Sequence, residues 1–348
     1  MIFSEPQDEL SRLLSTGFTY HSGVKTPAYT AKPRCHDDGP FSSLYLGGIG
    51  AGNFSRDLRG FFSKWHLQPG YHVDVTISQA VLFLRLEISD GKVLCFELNE
   101  NSFSGDSEDL RRTVHVLFPF VREVYEIHSL QVRCIVDFYS PVIFSDLHAA
   151  SAPVVNIELT VENLGDDEID ADAALFWPNL LGWRALQVTS CHRGGKLWPG
   201  QFSYGNTARR ETALTEDTAA VLQERKSAGV NMSDMDGQVC IAASGGTRQS
   251  LEAMVRTEQN TVLKDPELQK YTFLWLKEYF CRKGLLPGNW DGWQSQPDEA
   301  CCSAVSAGSK VESGNAQALS FVIAWDMPII RFGSERRWYK RYCEYLDS

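Results

Sequence analysis

Alternation of apolar and polar residues with a period of two dominates the chain. Between residues 155 and 162 every odd position is Val, Ile or Leu and every even position is polar, which is typical of a half-buried antiparallel strand. The alternation recurs in residues 130–138 and 319–327, and more loosely in 80–88 and 92–98. Many strands with few helices between them predict an all-β fold, a large antiparallel β-sandwich with long loops.

Two helices are predicted against this background. Asp265 as the N-cap and Pro266 in the first turn begin a short helix over residues 266–283. A C-terminal helix with an aromatic stripe is predicted over residues 335–346. Residues 190–235 are rich in Gly, Arg and Thr and indicate long connections between strands.

Composition narrows the class of protein. The chain carries 33 basic and 44 acidic residues, a formal net charge of −11, which argues against a nucleic-acid-binding domain. No run approaches the roughly 18 apolar residues that a membrane helix needs, and the first seven residues lack the features of a secretory signal. The nine cysteines form no CxxC pair. We therefore expect free thiols and a cytoplasmic location.

Candidate chemistry is sparse. The glycines of residues 47–52 lack the spacing of a dinucleotide-binding loop, and we interpret them as positions of positive φ or close backbone approach. The pairs Cys35-His36 and Cys191-His192 are poor chelators because neighbouring strand residues point to opposite faces. We expect no metal and no cofactor.

Several tryptophans present two alternatives. They could form platforms for sugar rings, or they could belong to the core, as aromatic side chains in a sandwich more often do. Two of them lie in a turn-like stretch, which favours exposure. The tryptophans concerned are Trp177, Trp183, Trp198, Trp290 and Trp293.

Spaced motifs occur along most of the chain. The opening motif is Leu-Gly-Gly-Ile-Gly-Ala-Gly at 46–52, followed by Arg56, Arg59-Gly60 and Trp-His-Leu-Gln-Pro-Gly at 65–70. The later motifs are Ser-Ala-Pro-Val at 151–154, Val-Glu-Asn-Leu-Gly at 161–165, Ala-Trp-Asp-Met-Pro at 324–328, Arg-Phe-Gly at 331–333 and Arg-Trp-Tyr-Lys-Arg-Tyr at 337–342. Together these motifs resemble the N-terminal domain of glycoside hydrolase family 116, which contains β-glucosidases and non-lysosomal glucosylceramidases.

The resemblance implies a two-domain architecture in which one domain carries the catalytic residues. Members of the family resemble a β-sandwich followed by an (α/α)6 barrel, and the catalytic Glu and Asp lie in that barrel. No residue of this chain matches those catalytic motifs, so we expect no catalytic residue and no activity of the chain alone. The expected organisation is an N-terminal extension over 1–43, the sandwich over 44–333, and a helix over 334–348 that would lead to the absent barrel.

Three functional hypotheses follow. The first is an accessory domain that docks onto a family 116 barrel, in cis or in trans. The second is a free-standing carbohydrate-binding module for β-glucosides or glycolipid head groups. The third is an enzyme whose catalytic carboxylates lie within the sandwich. Retaining glycosidases need two carboxylates about 5 Å apart, and no such pair is evident in the sequence.

The strand predicted over residues 59–69 separates core from surface. With period two, Trp65 shares a face with apolar residues and is expected in the core, whereas Phe62 and His66 share a polar face suited to docking. The alternative is that His66 is only a solvated strand residue. The candidates for domain docking or glycan contact are Arg59, Phe62, His66, Trp290, Trp293, Trp338 and Tyr342.

Overall fold

The computed structural model describes the chain in segments. The described residues are 8–21, 43–70, 76–103, 109–182, 184–186, 196–198, 206–209, 217–225, 235–256, 272–288, 301–332 and 336–346. Three α-helices lie in them: α1 (Glu9–Leu14), α2 (Leu147–Ala150) and α3 (Phe273–Lys283). The strands are β1 (Phe18–His21), β2 (Ser43–Leu46), β3 (Asn53–Asp57), β4 (Phe62–His66), β5 (Val81–Ile88), β6 (Val93–Glu97), β7 (Leu110–Leu117), β8 (Phe120–Ile127), β9 (Val132–Tyr139), β10 (Val154–Asn163), β11 (Ile169–Pro178), β12 (Arg184–Leu186), β13 (Lys196–Trp198), β14 (Asn206–Arg209), β15 (Thr218–Arg225), β16 (Gln238–Ser244), β17 (Arg248–Arg256), β18 (Cys301–Val311), β19 (Ala316–Asp326), β20 (Ile329–Phe332) and β21 (Arg336–Tyr339).

Two antiparallel sheets form the sandwich. The larger has nine strands in the order β1-β7-β8-β9-β10-β19-β16-β15-β14, and the smaller has five in the order β17-β18-β11-β5-β6. The alternating residues of β10 face the core as the sequence predicts, since Val155, Ile157, Leu159 and Val161 are fully buried. They pack in one cluster with Leu84 and other inward side chains of the smaller sheet. The prediction of an all-β sandwich is confirmed.

The five-stranded sheet is buried on both faces. A second apolar cluster lies on its outer face, where α3 covers the sheet with Leu276 and Phe280. Strand β11 is consequently buried at nearly every position, so that it reads as a continuous apolar run from Ala173 to Trp177 rather than as an alternation.

Helix α3 corresponds to the later part of the helix predicted over 266–283. Its N-cap is Thr272, whose hydroxyl oxygen accepts a hydrogen bond from the Trp275 amide at 3.2 Å, which satisfies one of the free amides of the first turn. Gly284 ends the helix with a φ of 69°. Asp265 and Pro266, which the sequence analysis used as start signals, lie outside the described residues.

The predicted C-terminal helix is wrong. Residues Arg336–Tyr339 form β21, which pairs with β20 so that Trp338 lies opposite Ile330 and Tyr339 opposite Ile329. A 3₁₀ turn over Arg341–Glu344 follows. A helix of this length is marginal without packing, whereas pairing satisfies the backbone and suits aromatic and β-branched residues.

The expectation that every cysteine is free is also wrong. Cys95 of β6 and Cys281 of α3 form a disulfide with a Cα–Cα distance of 5.7 Å. They are 186 residues apart in sequence and meet because α3 packs over the five-stranded sheet. The cysteines outside this bond in the described part of the chain are Cys134, Cys240, Cys301, Cys302 and Cys343. Among the described residues, no helix has both the length and the apolar character needed to span a bilayer.

Candidate docking surface

The glycine-rich loop after β2 is a packing element. The Gly47 amide donates a hydrogen bond to the Ser140 hydroxyl at 2.7 Å, and the Ile49 amide donates to the Ala150 carbonyl at 2.7 Å. A Cβ atom on Gly48 would lie 2.3 Å from the carbonyl oxygen of Ala152, a distance that no side chain tolerates. The glycines therefore serve close backbone approach, as the sequence analysis interpreted them.

The C-terminal segment contacts the other side of this loop. Lys340 is 2% exposed, and its ammonium group donates to the Leu67 carbonyl at 3.2 Å. The same Nζ lies 3.5 Å from the position that a Cβ on Gly52 would take, and the Cβ of Arg341 lies 3.4 Å from the corresponding point on Gly50. A buried cation thus anchors the segment to the loop. Lys340 was not among the candidates predicted from the sequence, because a lone lysine gives no sign that it will be buried.

Two aromatic side chains complete this attachment. The Trp325 indole N–H donates to the Ala51 carbonyl at 3.0 Å. The Tyr342 hydroxyl donates to Asp326 Oδ1 at 2.9 Å and accepts from the Met327 amide at 2.8 Å. Burial and the neighbouring Asp326 carboxylate raise the pKa of Tyr342 well above its usual value. Tyr342 is 2% exposed, so it fixes the C-terminal segment and does not offer its ring to a partner.

The predicted facing of the strand over 59–69 is wrong for Phe62. Phe62 and Trp65 are both buried, and the Phe62 ring packs edge-on against Trp177 at 5.2 Å. Lys64 between them has a φ of 48°, and the pairing of β3 with β4 shifts register near Asn53. This irregularity turns the chain, so that a strict period of two does not hold. The core position of Trp65 agrees with the prediction.

The other candidates are dispersed. His66 is half-buried, with its ring 5.0 Å from that of Tyr45. Arg59 is exposed in the turn at the opposite end of the β3–β4 hairpin and pairs with Asp57 at 3.1 Å. Trp338 is 55% exposed on β21. Trp290 and Trp293 lie outside the described residues.

Large apolar side chains are exposed on three segments that contact one another: β2 with the glycine loop, residues 143–150, and β21 with the 3₁₀ turn. Besides the contacts above, the His148 Nε2 atom lies 3.1 Å from the Tyr345 carbonyl oxygen. Phe144 is 83% exposed and Tyr339 70% exposed. We name this set the junction surface: Tyr45, Ile49, Ile143, Phe144, Leu147, Trp338 and Tyr339.

A buried cluster of charged side chains holds the β3–β4 hairpin against the large sheet. Arg56 of β3 donates to both oxygens of Glu123 on β8 at 2.8 and 2.9 Å, and the Arg112 guanidinium lies 3.2 Å from the same carboxylate. Burial alone would raise the pKa of Glu123, but the two guanidinium groups lower it to about 2. The cluster ties the small β2-β3-β4 sheet to the large sheet, and the sequence pattern gave no sign of it.

The carboxylates on one face of β11 are held by arginine side chains. Asp170 and Asp172, two carboxylates on one face of β11, are both bound by Arg248, and Arg85 binds Asp172 at 2.9 Å. In the segments that the structure describes, no three or more His, Cys, Asp or Glu side chains are grouped to hold a metal ion. Trp177, considered as a sugar platform, is buried in the aromatic core.

The sequence matches the family described as "beta-glucosidase 2, glycosyl-hydrolase family 116 N-term" over residues 43–348. Among solved structures, a protein described as a kojibiose phosphorylase, from the human microbiome, is 10% identical with a TM-score of 0.38, over 82% of this chain and 30% of that one. The GH36 α-galactosidase AgaA of Geobacillus stearothermophilus is 8% identical with a TM-score of 0.33, over 82% and 40%. This chain thus spans less than half of either protein. Likeness at these scores does not define a shared fold.

Proposed function

Because this chain belongs to the N-terminal domains of glycosyl-hydrolase family 116, we propose that it is an accessory domain that docks onto a catalytic (α/α)6 barrel of that family. The barrel is supplied in cis or in trans, and the junction surface is where it docks. In this account the substrate class, β-glucosides such as glucosylceramide, is a property of the assembled protein.

One observation carries this proposal. The junction surface exposes seven large apolar side chains, yet the backbone beneath them is fixed by buried polar contacts of Lys340 and Tyr342. Clusters of exposed apolar side chains on a protein often mark a site that binds another molecule. A rigid, preorganised surface with an exposed Trp and Tyr is typical of a protein interface, because little conformational entropy is lost on binding.

The carboxylates support an accessory role over catalysis within the sandwich. The buried Glu123 and Asp172 are each held by two guanidinium groups, and neither is free to act on a glycosidic bond. We expect no hydrolysis of aryl β-glucosides or glucosylceramide by the isolated chain. Turnover that disappears when one of its own carboxylates is replaced would contradict the proposal.

We keep the cytoplasmic location as a separate proposal. Cys134 and Cys302 are buried free thiols, which suits a reducing compartment, whereas the Cys95–Cys281 disulfide is of a kind uncommon there. Fractionation of cells, with the redox state of this pair read by alkylation, tests the location.

A binding titration tests the docking role. Phe144→Ser and Trp338→Ala remove exposed side chains of the junction surface, and each is expected to weaken binding to a family 116 barrel supplied in trans by about tenfold, or about 1.4 kcal/mol. His66→Ala, beside Tyr45 at the edge of the surface, is expected to weaken binding with little change in melting temperature. Leu274→Ala on α3 is the matched control, since Leu274 is also exposed but lies on another face. Equal binding by all variants would contradict the docking role.

A further inference from the structure

The described residues 8–21, which we name the N-terminal strap, lie outside the family match and occupy the edge of the large sheet. Strand β1 is the terminal strand of that sheet and pairs antiparallel with β7, from Phe18 opposite Val116 to His21 opposite Thr113. Without the strap, β7 would be an eight-residue edge strand with unpaired amide and carbonyl groups, which is a site for strand addition.

The strap is recognised through its helix as well as its strand. Asp8 accepts two hydrogen bonds from Arg122 of β8 at 2.9 and 3.0 Å, and the Ser11 hydroxyl accepts a third at 2.6 Å. Arg122 is itself oriented by Asp137 of β9, at 2.7 and 2.6 Å. Leu14 buries its side chain, with 1% exposed. The site thus binds one carboxylate, one hydroxyl and one apolar side chain, which lie at a fixed spacing in the segment.

The fit at the strap's turn is steric. Gly17 lies so close to β7 that a Cβ atom would come within 2.3 Å of the Val116 carbonyl oxygen. A backbone atom cannot move aside as a flexible side chain can, so any larger residue at position 17 would push the strap off the edge. The site therefore selects glycine three residues after its apolar anchor, Leu14.

The strap is held less firmly than the rest of the sheet. Helix α1 has six residues and β1 has four, and a helix of that length is not stable by itself. Half of the Asp8 side chain is exposed, so its ion pair with Arg122 is weakened by solvent. Such segments open locally while the sheet stays folded.

We propose that the β7 edge with Arg122 is a strand-docking site, and that its second occupant is the N-terminal strap of another copy of this chain. The site binds the carboxylate, the hydroxyl, the apolar side chain and the glycine of this segment. The same segment of a second copy carries the same four groups at the same spacing. The connection between the strap and β2 has 21 residues, and a chain of that length can span at most about 70 Å, which is long enough to reach the β7 edge of a second copy. Exchange of the strap would produce a dimer by domain swapping.

Peptide binding to the full chain tests the site. A fluorescent peptide of residues 8–21 is titrated against the wild-type chain and against Gly17→Ala, whose own strap cannot seat. The variant is expected to bind the peptide at least about tenfold more tightly, because the wild-type strap competes at the high effective concentration of an attached segment. A peptide carrying the same Gly17→Ala change is the matched control and is expected not to bind. Glu9→Ala, which removes a neighbouring exposed charge, is expected to behave as wild type.

Self-association tests the second occupant. Light scattering of the wild-type chain is expected to show a dimer fraction that rises with protein concentration, falls in Gly17→Ala and falls when excess peptide is added. Equal peptide affinity of wild type and Gly17→Ala, or binding of the control peptide, would overturn the docking site. The proposed exchange of the strap between two copies would be overturned by a chain that stays monomeric at every concentration. It would also be overturned by a dimer fraction that changes neither with Gly17→Ala nor with added peptide.

Discussion

Glu123 shows how strongly single side chains in this domain depend on their partners. It is fully buried between two guanidinium groups, and Tyr125 donates a further hydrogen bond to it. A buried ion pair contributes modestly to stability, but removal of one member leaves charges with no partner in a medium of low polarity. The contacts of Arg56 and Arg112 with Glu123 therefore make the carboxylate indispensable to the β2-β3-β4 sheet.

Glu123→Gln is expected to lower the free energy of unfolding by about 3–5 kcal/mol, the usual cost of breaking a buried ion pair. Urea denaturation monitored by tryptophan fluorescence measures it. Glu126→Gln on the same strand is the control, because Glu126 faces Arg111 at 3.8 Å near the surface. If Glu123→Gln lowered the free energy of unfolding by less than about 1 kcal/mol, the buried ion pairs of Glu123 with Arg56 and Arg112 would be contradicted.

Glu252 makes the stability of the domain depend on pH. It is 2% exposed, and burial raises its pKa to about 7, although the Gly288 amide hydrogen bond lowers it. Between the unfolded value of 4.5 and about pH 7, the folded state holds more protons than the unfolded state at this group. Its contribution to stability therefore falls as the pH rises through that window.

Glu252→Gln is expected to remove that dependence and to stabilise the domain at pH 8 by about 3–4 kcal/mol, from roughly 1.4 kcal/mol for each unit of pKa. Below about pH 4.5 the variant and the wild type are expected to be equally stable. Chemical denaturation at pH 4.5, 6 and 8 measures the difference. A variant that is destabilised at pH 8 would mean that the carboxylate has a charged partner.

The strands were predictable where one face is buried, and less so elsewhere. The alternation in β10 reports its single buried face. Strand β11 shows no clear alternation of apolar and polar residues, because α3 covers the outer face of the sheet and both faces of the strand are buried. Phe62 faces inward because Lys64 adopts a positive φ, a local choice that hydrophobic periodicity does not encode. The C-terminal residues became β21 through pairing with β20, and pairing partners are not encoded in a single segment.

The disulfide between β6 and α3 allows the attachment of this helix to the five-stranded sheet to be tested. Reduction, or Cys95→Ser, is expected to lower the free energy of unfolding by about 2–4 kcal/mol, since the Cys95–Cys281 bond closes a long loop in the unfolded chain. Mass spectrometry after denaturation and alkylation is expected to label this pair only after reduction. Cys240→Ser, at a half-buried cysteine outside this bond, is the control. Complete labelling without reductant, or a melting temperature indifferent to reductant, would contradict the bond.

Four of the spaced sequence motifs come together in the folded chain. The motifs at 46–52, 151–154, 324–328 and 337–342 are far apart in sequence, yet they meet at the junction surface through Gly48, Trp325 and Lys340. Their order along the chain predicted the family, and the alternation of apolar and polar residues predicted the sandwich. Which side chains would be exposed there was not predictable, because Tyr342 and Trp338 lie in one motif and have opposite environments.

Hydrogen exchange of the chain, free and bound to a family 116 catalytic barrel, tests the docking account most directly. Binding is expected to slow amide exchange in residues 47–50, 143–150 and 336–346, which carry most of the junction surface, and to leave α3 and the β7 edge unchanged. Protection confined to α3 or to the N-terminal strap, with exchange at the junction surface unaltered in a saturated complex, would contradict the account.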